Sequence, residues 1–257
     1  AEVSKLAYVN DGEGTWRIEG PDDAGSPWHQ VRIYDLSTET PVLKGACNLE
    51  GGRVVDMSSD AESWIYMAIE STDGGDHRLG IMPPGTTSCA CSDCLSEVAL
   101  YPGLSPKVIV ASHGLVLVGG EGPSPLRVWD APPGATPQLS MVIAGEELAN
   151  MTRVDDIIVT SGWVAIAGVN AAGETLIANL DLETLVQQKL TLMGTVTLPE
   201  VAASGQSEPV RAMATLSDIN GDDYIYALQA PSNAAEAQPL DASVLTRIAF
   251  SEPAAPT

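Results

Sequence analysis

Gly114-Leu115-Val116-Leu117-Val118-Gly119-Gly120-Glu121 is a short apolar run closed by glycines and an acid, and its build recurs along the chain. Leu6-Ala-Tyr-Val-Asn-Asp11, Ser63-Trp-Ile-Tyr-Met-Ala-Ile-Glu70, Gly162-Trp-Val-Ala-Ile-Ala-Gly168 and Asp223-Tyr-Ile-Tyr-Ala-Leu-Gln229 share it. Such runs are too short for buried helices. They are rich in β-branched and aromatic residues and end at turn-forming residues, which marks them as strands. Aligned on Tyr8, Tyr66, Val116, Val164 and Ile225, they recur at spacings of 58, 50, 48 and 61 residues. A period near that of propeller repeats, roughly 40–50 residues, identifies a repeat architecture whose excess length lies in loops.

Each run has similar neighbours. Arg53-Val-Val-Asp-Met57, Lys107-Val-Ile-Val-Ala-Ser112, Asp156-Ile-Ile-Val-Thr160 and Val210-Arg-Ala-Met-Ala-Thr215 precede four of them. Val31-Arg-Ile-Tyr-Asp35, Arg78-Leu-Gly-Ile-Met82, Leu126-Arg-Val-Trp-Asp130, Leu176-Ile-Ala-Asn-Leu-Asp181 and Val244-Leu-Thr-Arg-Ile-Ala-Phe250 come after. Further apolar stretches, Pro41–Gly45 and Gln138–Ile143, lie between units. Four short strands per unit make a propeller blade. The expected fold is therefore all-β, a single β-propeller domain over residues 1–257 with five blades of four antiparallel strands. Its units fall near residues 1–40, 41–95, 96–137, 138–185 and 186–250, and the first is incomplete at its front. Helical periodicity is confined to single turns at Ala144–Met151 and Thr184–Leu190.

Composition agrees with this reading. Of 257 residues, 44% are hydrophobic and only 5% aromatic, so a core of Val, Leu, Ile, Ala and Met is expected. The 34 acidic residues against 12 basic give a net charge of −22. Such a surface repels phosphate backbones and anionic membranes, which argues against nucleic-acid partners. No apolar run approaches the roughly 20 residues of a membrane-spanning helix, so no membrane insertion is expected. Cys47, Cys89, Cys91 and Cys94 form an even set in a turn-rich chain. That favours an oxidising compartment and an exported protein, whether periplasmic, cell-surface or extracellular.

Two units carry a resemblance. Gly114-Leu-Val-Leu-Val-Gly-Gly with Pro125-Leu-Arg-Val-Trp-Asp-Ala-Pro-Pro and Thr136-Pro-Gln-Leu resembles the LVIVD-type repeat of bacterial and archaeal surface proteins. Ala7-Tyr-Val, Val31-Arg-Ile-Tyr-Asp-Leu-Ser and Thr40-Pro-Val-Leu-Lys-Gly45 are similar to it as well. The resemblance implies an exported propeller with no general catalytic chemistry attached.

Three constellations are candidates for chemistry. Cys89-Ala-Cys91-Ser-Asp-Cys94 could hold zinc with Cys47 or His77 as a further ligand. The competing reading is a pair of disulfides pinning a long loop, one loop cysteine reaching Cys47 and the other two pairing locally. Asp218, Asn220 and Asp222 alternate like the oxygen donors of a calcium loop, but Asn220-Gly221 equally makes a hairpin turn. No cofactor is predicted, and calcium at Asp218, Asn220 and Asp222 is the candidate carried forward. Trp16 and Trp28 lie in the polar insertion Gly12–Gln30, where a long loop suits partner contact, whereas Trp64, Trp129 and Trp163 belong to strand patterns. Adjacent carboxylates (Asp155-Asp156, Asp222-Asp223, Glu146-Glu147) point to opposite sides of an extended strand and make no acid/base couple.

No nucleophile elbow, phosphate loop or zinc-protease helix occurs. The expected role is a non-enzymatic binding or scaffold module for a protein or a surface polymer. The alternatives are a glycan-cleaving hydrolase with carboxylates at the propeller axis, and a metal-binding or electron-transfer partner using the cysteine loop. The disulfide reading predicts no thiol reactive to a disulfide reagent before reduction and four after it. Reactive thiols together with bound metal, measured by elemental analysis, would instead mark a metal centre.

Overall fold

The computed structural model describes residues 5–9, 15–21, 29–35, 40, 42–49, 51–86, 95–100, 102–132, 135–199, 209–217, 223–229 and 243–249. It is all-β and divides into two compact units, residues 1–122 with 126–142, and residues 123–125 with 143–257.

Three meanders make up the first unit. The first runs β1 (Lys5–Val9), β2 (Thr15–Pro21), β3 (His29–Asp35) and β4 (Val42–Leu49), antiparallel in chain order. The second is β5 (Gly52–Ser59), β6 (Ile65–Ser71), β7 (Arg78–Met82) and β8 (Ser96–Ala99). In the third, β9 (Ser105–Ser112), β10 (Leu115–Glu121) and β11 (Leu126–Asp130) are joined by β12 (Gln138–Ile143) on the β11 edge. The second unit holds β13 (Met151–Val159), β14 (Trp163–Asn170), β15 (Thr175–Asp181) and β16 (Leu192–Thr197). Its other meander is β17 (Val210–Ser217), β18 (Asp223–Gln229) and β19 (Val244–Ala249), with three strands among the described residues. The two helical turns are Gly145–Leu148 and α1 (Leu182–Val186), whose N-cap Asp181 accepts the Thr184 backbone N–H at 2.9 Å.

The strand assignments differ from the sequence reading in the first fifty residues. The insertion Gly12–Gln30 is not one loop, because Thr15–Pro21 forms β2 and pairs with both β1 and β3. Its alternation of Trp, Ile and polar residues is hidden between glycine- and aspartate-rich ends. Leu6–Val9 is thus a first strand rather than a second one. Val42–Leu49 pairs back onto β3 instead of opening the next unit. One further shift concerns register: Ile65, not Tyr66, matches Val116, Val164 and Ile225 when each second strand is counted from the irregular step in its pairing with the first.

The second strands β6, β10 and β14 are buried on both faces. Ile65, Tyr66, Met67, Ala68 and Ile69 of β6 are all buried, as are Val164 to Gly168 of β14. A strand covered on both sides has no polar face, which is why these segments read as continuous apolar runs. Alternate side chains feed different layers. Ile65, Met67 and Ile69 join Val31, Ile33, Cys47 and Leu49 of the first meander. Tyr66 and Ala68 instead meet Val116, Val118 and Trp129 of the third. In the second unit Ala165 and Ala167 pack with Ile225, Ala227 and Ile248. Each fully buried aliphatic side chain contributes about 1.5–3 kcal/mol, so these layers dominate stability.

The first strands β5, β9, β13 and β17 carry an extra residue at the same place. Val55, Lys107, Asp155 and Arg211 are skipped in their pairings with the second strand, each a β-bulge. The bulge changes the parity of the residues beyond it: Val54 and Met57, three apart, point into the same layer. Opposite the bulge in β13 stands Gly168, where a Cβ would run into the carbonyl oxygen of Arg153.

Two of these bulges end on a carboxylate used in the same way. Asp56 accepts the backbone N–H of Met57 and, from the next meander, that of Ile109, both at 2.9 Å. Asp156 accepts the N–H of Ile157 at 2.9 Å and that of Met213 at 2.6 Å. Ile109 and Met213 occupy in their own strands the position that Met57 and Ile157 hold, so each aspartate ties equivalent points of successive meanders. Ser58 adds a parallel link, its hydroxyl oxygen accepting the Ala111 N–H at 3.0 Å. Asp56→Asn or Asp156→Asn turns an amide NH2 toward an N–H and should cost about 1–3 kcal/mol in urea unfolding. Asp130→Asn, at an exposed position, should stay within about 0.5 kcal/mol. Equal effects at all three positions would remove the link.

Candidate interaction surface

The hairpin turns between first and second strands are anchored by a side chain at their first residue. In β5–β6, Asp60 Oδ1 accepts the N–H groups of Glu62 and Trp64, both at 2.9 Å, and Oδ2 accepts the Tyr66 hydroxyl at 3.2 Å. Thr160 takes this place in the β13–β14 turn: its N–H donates to the Trp163 carbonyl at 2.9 Å and its Oγ1 accepts the Trp163 N–H at 3.2 Å. The β9–β10 turn is tighter. His113 and Gly114 both have positive φ, 53° and 74°, which gives the two-residue primed turn that twisted strands favour.

Each anchored turn delivers a tryptophan to the start of the second strand. Trp64 is half-buried and packs on the layer that holds Trp129, while Trp163 packs on the layer formed by Ala165, Ile177 and Ile225. Trp129 itself is 1% exposed. The packing expected of Trp64 and Trp163 is met, and both residues are half-buried rather than fully buried. The signal for this was their place directly after a turn (Ser63-Trp64, Gly162-Trp163).

Of the residues singled out by sequence, Cys47, on β4, is buried and disulfide-bonded; Cys89, Cys91 and Cys94 lie outside the described residues. So do Asp218, Asn220 and Asp222, and Trp28. Trp16 lies in β2, opposite Tyr8 and Tyr34 in register. His77 accepts the Ser71 N–H on Nδ1 at 3.0 Å, and His113 Nδ1 sits 2.8 Å from the Ser112 hydroxyl. Adjacent carboxylates have separate duties. Arg153 grips Asp155 with Nε and Nη2 at 2.6 and 3.0 Å, while Asp156 serves backbone N–H groups. Glu147 accepts the Ala144 N–H at 2.9 Å.

Two titrations are displaced. Burial, and then the Asp60 and Glu62 carboxylates, push the Tyr66 phenol above the usual tyrosine range. The Gly75 N–H and the Ser71 hydroxyl hold Asp73 below the usual carboxylate range in an exposed turn.

No family model and no curated protein matches the chain. Solved structures do. A functionally unknown protein from Desulfotomaculum acetoxidans DSM 771 is similar with a TM-score of 0.59 at 11% identity, over 96% of this chain and 68% of that one. At that identity the likeness concerns the fold alone. A nidogen/laminin complex gives a TM-score of 0.47 at 9% identity, over 78% of this chain and 67% of that one. A prolyl endopeptidase structure gives 0.49 at 13%, over 95% of this chain and 35% of that one. Scores this low do not define a fold.

For Tyr66 the sign is that of a raised pKa: the neutral phenol is favoured in the folded state. Its contribution is complete below about pH 10 and is lost as the pH rises beyond it. Absorbance titration should show one tyrosine ionising after the others, and Tyr66→Phe should remove that late step. A late step that survives in the variant would reassign it.

Proposed function

We propose that this chain is an exported protein built from five β-propeller blades, acting as a non-enzymatic binding or scaffold module for a protein or a cell-surface polymer. Antiparallel meanders, second strands buried on both faces in β6, β10 and β14, and first strands of successive meanders side by side within each unit support the blade reading. The resemblance of two units to LVIVD-type repeats supports export.

One observation carries the binding role. Trp64 and Trp163 are half-buried indoles fixed by packing on one side and by an anchored turn on the other. A rigid aromatic with one face accessible gives contact area at little entropic cost, the property that places tryptophan at binding hot spots. Trp16 and Trp28 are further contact candidates from the sequence. The net charge of −22 directs the choice away from polyanions and toward neutral or basic partners.

Titration calorimetry against purified cell-surface polysaccharide and secreted-protein fractions tests the role. Saturable binding is expected for one of them, weakened about 10-fold or more in Trp64→Phe or Trp163→Phe, with unchanged unfolding midpoints. Absence of binding to every fraction, or binding indifferent to these tryptophans and to Trp16→Ala and Trp28→Ala, would overturn it.

A further inference from the structure

Asn179 on β15 puts an amide into an apolar layer. It is 2% exposed, and its carbonyl oxygen Oδ1 is buried with no hydrogen-bond partner among the described residues. It stands beside Ala165 in register and two residues from Ile177, so it shares the face that packs against β17–β19. The corresponding positions in other meanders are aliphatic. Ile81 pairs with Tyr66 and Val128 with Leu117, as Asn179 pairs with Ala165, and both are buried. In the first meander Ile33 stands opposite Gly45 next to a bulge at Lys44, as Asn179 stands opposite Gly194 next to a bulge at Met193. Ile33 is buried as well. The fold at this place is therefore satisfied by an aliphatic side chain, whereas a buried carbonyl without a donor destabilises it. A residue that breaks the local pattern without a structural gain marks a functional position.

Two neighbours make a site of this position. Across the ladder is Gly194, half-buried, where a Cβ would meet no atom within 4 Å, so there is open space beside the amide on this face. Diagonally next, on β14, is Trp163, which pairs with Asp181 and packs on the same layer. Diagonal positions lie about 7–8 Å apart, within reach of an indole. A buried acceptor, an unfilled space and a half-buried indole thus adjoin on one face of the second unit. Small-ligand sites have this composition, an apolar wall with a few fixed polar groups.

We infer that this subsite takes a neutral hydroxylated ring, one sugar unit of a cell-surface polymer, with a hydroxyl donating to Asn179 Oδ1 and the apolar side of the ring against Trp163. The inference rests on the binding role proposed above, through Trp163, and names the class of ligand. Neutrality follows from the residue type. An amide offers both a donor and an acceptor, and a hydroxyl matches both, whereas a cation brings donors alone. A cationic anchor is better met by a carboxylate, which this chain carries at 34 positions, yet the buried residue is uncharged. The carboxylate two residues on, Asp181, caps α1 by accepting the Thr184 N–H at 2.9 Å.

Two substitutions in the purified chain separate binding from folding. Asn179→Val installs the residue type that β11 carries at this position, and Gly194→Val fills the open space. Asn179→Val should raise the thermal unfolding midpoint, and Gly194→Val should not lower it. Calorimetry against a set of neutral hexose oligosaccharides should show saturable binding of at least one, weakened about 10-fold or more in each variant. Polylysine and dextran sulfate serve as cationic and anionic controls, and neither should respond to residue 179. A lowered midpoint in Asn179→Val gives the amide a structural task and overturns the inference, as does polylysine binding that this variant abolishes. Glycan binding that needs Trp163 but survives both variants overturns this inference alone. A chain that binds no neutral glycan overturns it too, and capture of a protein fraction through Trp163 would then leave the binding role standing without it.

Discussion

Burial of the second strands β6, β10 and β14 on both faces is the constraint on which the rest of this structure depends. A strand with no solvent side must find an apolar layer above and another below, and each layer needs a second sheet to close it. The alternation Ile65, Met67, Ile69 against Tyr66, Ala68 splits one strand between two layers. Fourth strands, at the far edge, are released from this demand and carry exposed residues such as Val42, Leu43 and Val142.

Polar groups close to the layers are used to fix positions. The ten side chains of the first layer outweigh any one hydrogen bond in energy. What Asp56 and Asp156 add is direction, since a carboxylate that accepts two backbone N–H groups holds two strands at one relative height. Asp60 and Thr160 do the same for turns. The adjacent carboxylates Asp155 and Asp156 are occupied by Arg153 and by backbone donors. Rigid turns and a stacked core make a platform, and function on such a platform belongs to what its edges and faces display.

Much of the strand content was legible because doubly buried strands write themselves as apolar runs between turn residues. Ser63–Glu70 and Gly162–Gly168 are of this kind, and both are second strands. Strands with mixed faces were harder to see. Thr15–Pro21 has polar residues on alternate positions and glycine-rich flanks, so it reads as a loop until its partners on both sides are known. The one-residue offset between Tyr66 and Ile65 has a similar origin, because an all-apolar run contains no polar residue to mark its parity. The linking roles of Asp56 and Asp156 depend on neighbours 53 and 57 residues away, which no local pattern reveals. Of the candidate site residues, Cys47 lies on β4 beyond the apolar stretch Pro41–Gly45, and its burial came to light only with the pairing of β4 onto β3.

The repeated bulge has a consequence for how the strands find their partners. A regular ladder can slide by two residues and keep every side chain on its proper face, so apolar patterning alone leaves its register ambiguous. An extra residue at Val55, Lys107, Asp155 and Arg211 removes that ambiguity: a slipped strand would bring the bulge opposite a partner shaped for regular pairing. At Gly168 the partner is fitted to the bulge by having no side chain at all. The irregular residue in each of these four first strands is thus the one that tells otherwise interchangeable apolar runs where to stop.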